Sequence, residues 1–248
     1  MIKNKVDKID RKKSKARSFG NLKSSGSKIS KKIKAKEDQQ LFVFFCIIVI
    51  VFAAFLIPYF YIEKSKFFKY AGAEWLIEDY DLFIAYHVRF PVLSGQTERF
   101  HNVWFRNDPR EINVPVEGEF SSFKYGGLIS FDEFTGSCLG EFSRAVLDLS
   151  GFVGLGIGTE KVEVATTDKF ISLEEDRRYA LCDNTLDRTL IILQKGDRRV
   201  FQDEKNPYCY TINVESCDDI LGIEAFMLKT INDSLIAITA LEALEEEI

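Results

Sequence analysis

The chain has 248 residues, 46% of them hydrophobic and 29% charged, with a formal net charge of −5. That value conceals two opposed parts: residues 1–40 hold 14 Lys or Arg against four acids, a net +10, and the remainder holds 19 against 34, a net −15. This balance excludes a uniformly basic nucleic-acid binder, and the length leaves room for one ordinary domain with its own core.

Residues 1–40 contain Lys12-Lys13, Lys31-Lys32 and Ser24-Ser25-Gly26-Ser27, with few apolar side chains. Such a segment cannot bury enough surface to offset its ordering entropy, so a disordered basic tail is expected. Its expected partner is anionic lipid head groups, at about 1 kcal/mol per basic residue near the surface. Nucleic acid is not expected as a partner: Phe19 is the only ring in the tail, and stacking on bases needs several.

Leu41 to Ile62 (LFVFFCIIVIVFAAFLIPYFYI) is 22 residues long and uncharged. As a helix it reaches about 33 Å, enough for a hydrocarbon core of roughly 30 Å. A single transmembrane helix in a lipid bilayer is therefore predicted. Basic flanks stay in the cytoplasm, which puts the N-terminus inside and residues 63–248 outside the cell membrane. A cleaved signal peptide is the rival reading, and Ala71-Gly72-Ala73 has the small-x-small form of its cleavage site. That tripeptide lies past the charged residues Glu63 to Lys69, so an uncleaved signal-anchor is expected. Tyr59, Phe60 and Tyr61, with Phe67, Phe68 and Tyr70 beyond, suit an aromatic belt at the outer interface.

The outer part, residues 63–248, reads as a mixed α/β domain: a mixed sheet with at least two packing helices, not an all-β barrel. Asp81 to Leu93 and Arg99 to Phe105 are strand-like and form an antiparallel pair across Gly95. Arg106-Asn107-Asp108-Pro109-Arg110 is a turn, and residues 112–116 are extended. Gly127 to Phe131 is a strand. Thr135 to Leu149 has helical spacing and is ended by the glycines at 151, 154, 156 and 158. Lys161 to Ala165 is a strand, making a parallel βαβ unit. Tyr179 to Cys182 is another. Thr189 to Gln194 and Arg199 to Gln202 flank Lys195-Gly196-Asp197-Arg198, read as a hairpin turn. Tyr208 to Val214 is the last strand. Ser216 and Asp219 form a capping box for a final helix, which Asn232-Asp233-Ser234 interrupts. That trio is also a glycosylation acceptor at Asn232.

Cys138, Cys182, Cys209 and Cys217 all follow the span, and an even set facing an oxidising exterior favours two disulfides. Cys209 and Cys217 are eight residues apart on an extended stretch of roughly 25 Å, too far to be bridged. Cys182 is expected to pair with Cys209 or Cys217, and Cys138 with the other. Zinc is not expected, since there is no Cys-x-x-Cys and there are only two His. No cofactor is expected either: Gly151 to Gly158 lacks the Gly-x-Gly-x-x-Gly spacing and follows a helix rather than opening one. His87 and His101 read as core or cross-strand partners. Asp168 and Thr167, at a strand end, and Asp108 with Arg110 are the candidate ligand-site residues; no catalytic residue is assigned.

Tyr179-Ala180-Leu181-Cys182 followed by Arg188, behind a single span, resembles sortase transpeptidases, although the Thr-Leu-x-Thr-Cys pattern is missing and sortases are β-barrels. The resemblance implies an alternative function, a cysteine-dependent hydrolase or transpeptidase using Cys182, Arg188 and His87 or His101. Residues 100–230 also resemble a set of uncharacterised single-span archaeal proteins. The likeness rests on Arg106-Asn107-Asp108-Pro109-Arg110, Ala165-Thr166-Thr167-Asp168, Cys182-Asp183-Asn184, Leu190 to Gly196, Cys209-Tyr210 leading to Cys217, and Glu224 to Leu228. It implies an anchored outer domain and no catalytic signature. The expected function is thus a non-catalytic extracytoplasmic binding or envelope-associated module, with an envelope protein as candidate partner. An accessory part of a cell-surface assembly is a further alternative.

Overall fold

The computed structural model describes residues 24–91 and 99–245, so most of the basic tail and the link carrying Gly95 lie outside the described residues. Helix α1 (Ser24–Ser65) contains the apolar run, and its stretch Gln39–Ser65, in which an 18-residue window has a mean hydropathy of 3.2, is long and apolar enough to cross a membrane. The helix starts at Ser24, before the predicted span, and the expectation for residues 1–23 lies outside the described residues. Once the apolar segment has nucleated a helix, extending it through Lys, Ala, Glu and Gln adds one hydrogen bond per residue fixed.

From residue 62 the chain forms a separate unit. Strands β1 (Phe67–Tyr70), β2 (Ala73–Asp79), β3 (Ile84–Pro91) and β4 (Phe100–Phe105) make an antiparallel sheet in that order. The predicted β3–β4 pair is present, with Val88 opposite Val103. Strands β1 and β2 are unanticipated. Phe68 stacks on Trp75 and meets the edge of Tyr86, so this ring of the expected belt packs within the sheet, while Phe67 and Tyr70 on the same strand stay exposed. Ala71 and Gly72, at φ +48° and +75°, form a two-residue hairpin turn of the left-handed type that matches strand twist.

Strand β5 (Val116–Glu117) is followed by β6 (Gly127–Phe131), then α2 (Glu133–Gly136) and α3 (Glu141–Gly151). The single helix expected over 135–149 is thus two, broken where Gly140 takes φ +69° and Cys138 turns into a disulfide. The glycine run does not end α3 directly: Phe152–Gly156 continues as a π-helical turn. There a Cβ on Gly156 would come within 3.0 Å of the His101 ring, so the close packing needs glycine. Strand β7 (Val162–Thr166), α4 (Lys169–Glu174), β8 (Arg178–Tyr179), β9 (Thr189–Lys195), β10 (Arg199–Gln202), β11 (Cys209–Val214) and α5 (Leu221–Glu245) complete the chain.

The second sheet is mixed, with order β5-β10-β11-β9-β6-β7-β8. The β6–β7 pair is parallel, as the βαβ reading expected. The β9–β10 hairpin is not formed: β11 lies between them, parallel to β9 and antiparallel to β10. Helix α5 runs unbroken through Asn232-Asp233-Ser234. There Asp233 pairs with Lys229 one turn back at 2.6 Å and accepts the Phe120 N–H, so it does not compete for the helix backbone. Side chains alternate strictly across this sheet. Ile129, Ile191, Leu193, Tyr210 and Ile212 face the main core with α3, α5 and the first sheet, and Leu128, Leu190, Ile192 and Cys209 face a smaller cluster.

Candidate functional site

In an open α/β sheet the first place to look is the carboxyl end of the parallel strands, where connections diverge. Here that point lies between β6 and β9, and it is filled. Asp132, directly after β6, accepts from Thr135 N at 2.7 Å, Thr135 Oγ1 at 2.6 Å and Lys195 N at 2.8 Å. One carboxylate thereby caps α2 and ties the two strand ends together.

The next strand end holds Thr167 and Asp168. Asp168 is the N-cap of α4, accepting from Phe170 N at 2.6 Å and Ile171 N at 3.3 Å. Thr167 bonds back to the Phe131 carbonyl at 2.9 Å. Both are structural in geometry.

Asp108 falls elsewhere, on the wall of an open groove of about 740 Å³ between the first sheet, the 106–111 turn and the start of α5, while Arg110 pairs with it without lining that groove. The Arg110 guanidinium lies along the Asp108 carboxylate and over the Phe68 ring at 4.1 Å, and this pairing holds the Asp108 carboxyl below its ordinary pKa. The groove is lined by five carboxylates, Asp108, Glu111, Glu141, Asp218 and Asp219, against the guanidiniums of Arg106 and Arg198. Arg198 is bound by Asp219 at 2.8 Å and Glu215 at 3.2 Å, which raises its pKa further. Asp219 also accepts from Glu215 N at 3.1 Å and Leu221 N at 3.3 Å, so it, rather than a Ser216 box, starts α5. Arg106 lies 3.5 Å above the Phe83 ring, with its buried Nε lacking a hydrogen bond and Glu141 4.0 Å away.

Glu224, on the first turn of α5, is 3% exposed. It accepts from Arg106 N at 2.5 Å, Asn107 N at 3.4 Å and Asn107 Nδ2 at 2.7 Å. Burial pushes its carboxyl up to about 7, with the charge on Asp148 adding in the same direction. The void beside it measures about 10 Å³, the space of a single water, so no substrate reaches it. Glu224 fixes the groove wall by holding the 106–107 backbone.

The cysteines form Cys138–Cys217 and Cys182–Cys209, one of the two expected connectivities. Cys182 is bonded to Cys209 and Arg188 pairs with Glu163 at 3.1 Å, so neither is free for the role that the cysteine-nucleophile reading gives it. His87 stacks on Trp104 at 4.8 Å and lies 3.3 Å from Glu78, as a cross-strand partner. His101 packs on Phe90 and Phe152, where burial lowers its pKa. Asn232 sits half-buried in mid-helix. Among the described residues no three His, Cys, Asp or Glu side chains converge as a metal set.

Glu224, Asp219, Arg198 and Glu141 were not anticipated as site residues. The one available signal was Glu224 as a lone charge within the apolar run Ile220 to Leu228. The fold and site define a mixed α/β domain with an acidic groove, behind a helix long enough to span a bilayer. Comparison with protein-family models, curated proteins and solved structures finds no match to this chain.

Proposed function

We propose that the chain is a single-pass membrane protein, with its basic N-terminal segment in the cytoplasm and its C-terminal domain outside as a non-catalytic binding module. The groove is the binding site, and its ligand is a cationic segment of an envelope component. Glu111 and Asp218 carry this reading: they line the groove and have no basic partner among the described residues, whereas Asp219 is taken up by Arg198 and Asp108 by Arg110. The charge asymmetry about the span supports the orientation, and two disulfides suit an oxidising exterior. The tail's 14 bases favour anionic lipid on the inner surface.

The test uses the full chain in phosphatidylcholine nanodiscs, titrated with a fluorescent octa-arginine probe by anisotropy. Glu111→Lys and Asp218→Lys are each expected to weaken binding at least tenfold. Glu204→Lys, the same charge change at the opposite end of β10, is expected to change it less than twofold. Equal losses in all three variants, or no binding by the unaltered chain, would show that the groove is not the site.

A further inference from the structure

One buried carboxylate stands directly behind the groove. Glu224 receives three hydrogen bonds, all from the 106–107 segment of the groove wall. They divide between its two oxygens. Oε1 accepts from the backbone N–H groups of Arg106 at 2.5 Å and Asn107 at 3.4 Å, and Oε2 accepts from the Asn107 side-chain Nδ2 at 2.7 Å. Burial pushes this carboxyl up to about 7, so its proton comes and goes near neutrality. The charged groups that face it are Arg106 and, from α3, Glu141, Arg144 and Asp148, with Arg144 3.9 Å from Asp148. The strands packed on α5 add no charge there: Glu74, Asp79, Glu117 and Arg199 are exposed, Glu78 is paired with His87, and β11 carries no charged side chain.

The two oxygens differ in how they can take a proton. An ionised carboxylate only accepts, whereas a carboxylic acid carries one O–H that donates. Oε1 faces two backbone N–H groups, which cannot turn, so the proton goes to Oε2. There it meets the Asn107 NH2, donor against donor. The relief is local. A half-turn of the Asn107 amide about its last torsion brings Oδ1 to the acid and sends the NH2 the other way. Asn107 lines the groove, and with Nδ2 on Glu224 its Oδ1 accepts from no described residue. That oxygen is an acceptor available to a cation; an NH2 in its place can only oppose one.

We propose that Glu224 and Asn107 form a proton switch behind the groove: protonation of Glu224 reverses the Asn107 amide, the groove exchanges an acceptor for a donor, and a cationic ligand is released. The charge lost from Glu224 weakens the hold on a cation in the same direction. By linkage, a bound cation favours the ionised form, so binding expels a proton. The inference rests on the reading of the groove as a site for a cationic ligand. Neither histidine of the chain lines the groove.

The test titrates the full chain in phosphatidylcholine nanodiscs with the fluorescent octa-arginine probe at pH 6 and pH 8. The unaltered chain is expected to bind at least fivefold more weakly at pH 6. Glu224→Gln, whose Nε2 imitates the O–H of the acid, is expected to hold the reversed amide. It should bind at both pH values as weakly as the unaltered chain does at pH 6. Asn107→Ala keeps the Glu224 carboxylate and both backbone bonds but has no amide to turn, so its affinity should change less than twofold between the two pH values. In parallel, the Asn107 side-chain amide is followed by nitrogen–proton correlation spectra of the full chain in detergent, isotope-labelled at asparagine. Its resonance is expected to move with a midpoint near pH 7 and to stay fixed in Glu224→Gln. Equal binding by the unaltered chain at both pH values overturns the switch and leaves the groove reading intact. So does a fivefold loss that persists in Asn107→Ala. Absence of binding at pH 6 and pH 8 alike overturns the groove reading, and control of binding with it, even where the amide resonance titrates. If Glu224→Gln does not fold, Asn107→Ala and the amide titration of the unaltered chain still decide the question.

Discussion

The two faces of the seven-stranded sheet are covered in different ways. On one, Ile129, Leu193, Ile212 and their neighbours meet α3, α5 and the first sheet in a large core that includes Phe120, Phe142 and Phe226. On the other, the buried apolar cluster is only Leu128, Ala165, Ala180, Leu190, Ile192 and Cys209, with Cys182 against it. Residues 180–188, which contain no helix, run over this second face and are tied by polar contacts. Ser130 Oγ donates to the Ala180 carbonyl at 3.1 Å, and Asn206 Nδ2 to the carbonyls of Cys182 at 2.9 Å and Thr185 at 2.8 Å. Parallel strands need cover on both faces. Where a helix supplies it, burial does most of the stabilising; where an irregular segment does, a disulfide and side chains directed at backbone carbonyls take that place. Each face has its own bridge, Cys138–Cys217 on the first and Cys182–Cys209 on the second.

Removing the bridges separates these modes most sharply. They close loops of 79 and 27 residues. Chain entropy then assigns about 4.5 kcal/mol to the first and about 3.5 kcal/mol to the second. Urea unfolding of the full chain in detergent should show the double variant Cys138→Ala/Cys217→Ala losing more stability than Cys182→Ala/Cys209→Ala. Limited proteolysis should show the opposite local pattern, with new cleavage within 180–188 only when Cys182–Cys209 is absent. Retained protection of that segment would mean that the polar contacts suffice and that the second face does not depend on its bridge.

A smaller effect belongs to Glu224 on the helical side. Its folded pKa is about 7 against an ordinary 4.5, so the folded state holds the proton more tightly. Below pH 4.5 the carboxyl is neutral in both states and burial carries no charge penalty. As pH rises from 4.5 through 7, about 3 kcal/mol of stability is lost. Arg106, Arg144, Glu141 and Asp148 surround the site, and Asp148, also raised by burial, adds to the same slope. Asp108 is shifted downward and acts in the opposite sense, below pH 4. Urea unfolding at pH 5 and pH 8 should therefore favour pH 5, and Glu224→Gln should flatten the difference. An unchanged slope in that variant would place its origin in another group.

The same contrast explains which features the sequence discloses. Strands β3 and β4 were legible because alternation along each strand is a local signal, and so was the long apolar helix. The β9–β10 hairpin was misread because the Gly196 turn looks local, whereas the placement of β11 between those strands is set by pairing of Cys209 through Val214 with Leu190 through Lys195. No short window contains that information. Strands β1 and β2 were missed because Phe67 to Tyr70, beside an apolar helix, carry the composition of a membrane belt. The break before α3 depended on Cys138 meeting Cys217, 79 residues away. The groove was partly legible: Asp108 lines it, but Arg110 does not, and Arg198, Asp219 and Glu141 reach it from three separate segments.

The smallest effects test the strand ends. Asp132 and Asp168 follow neighbouring parallel strands and each caps a short helix, but Asp132 also accepts the Lys195 N–H across the divergence point. A cap alone is worth about 1 kcal/mol, and a second bond to a charged acceptor adds about as much again. Asp132→Ala should therefore cost about 2 kcal/mol and Asp168→Ala about 1 kcal/mol. Both should leave binding of the arginine probe within twofold of the unaltered chain, since neither residue lines the groove. If Asp168→Ala instead abolished binding without loss of stability, the ligand site would move from the groove to the end of β7. The cap geometry would then be incidental to what that carboxylate does.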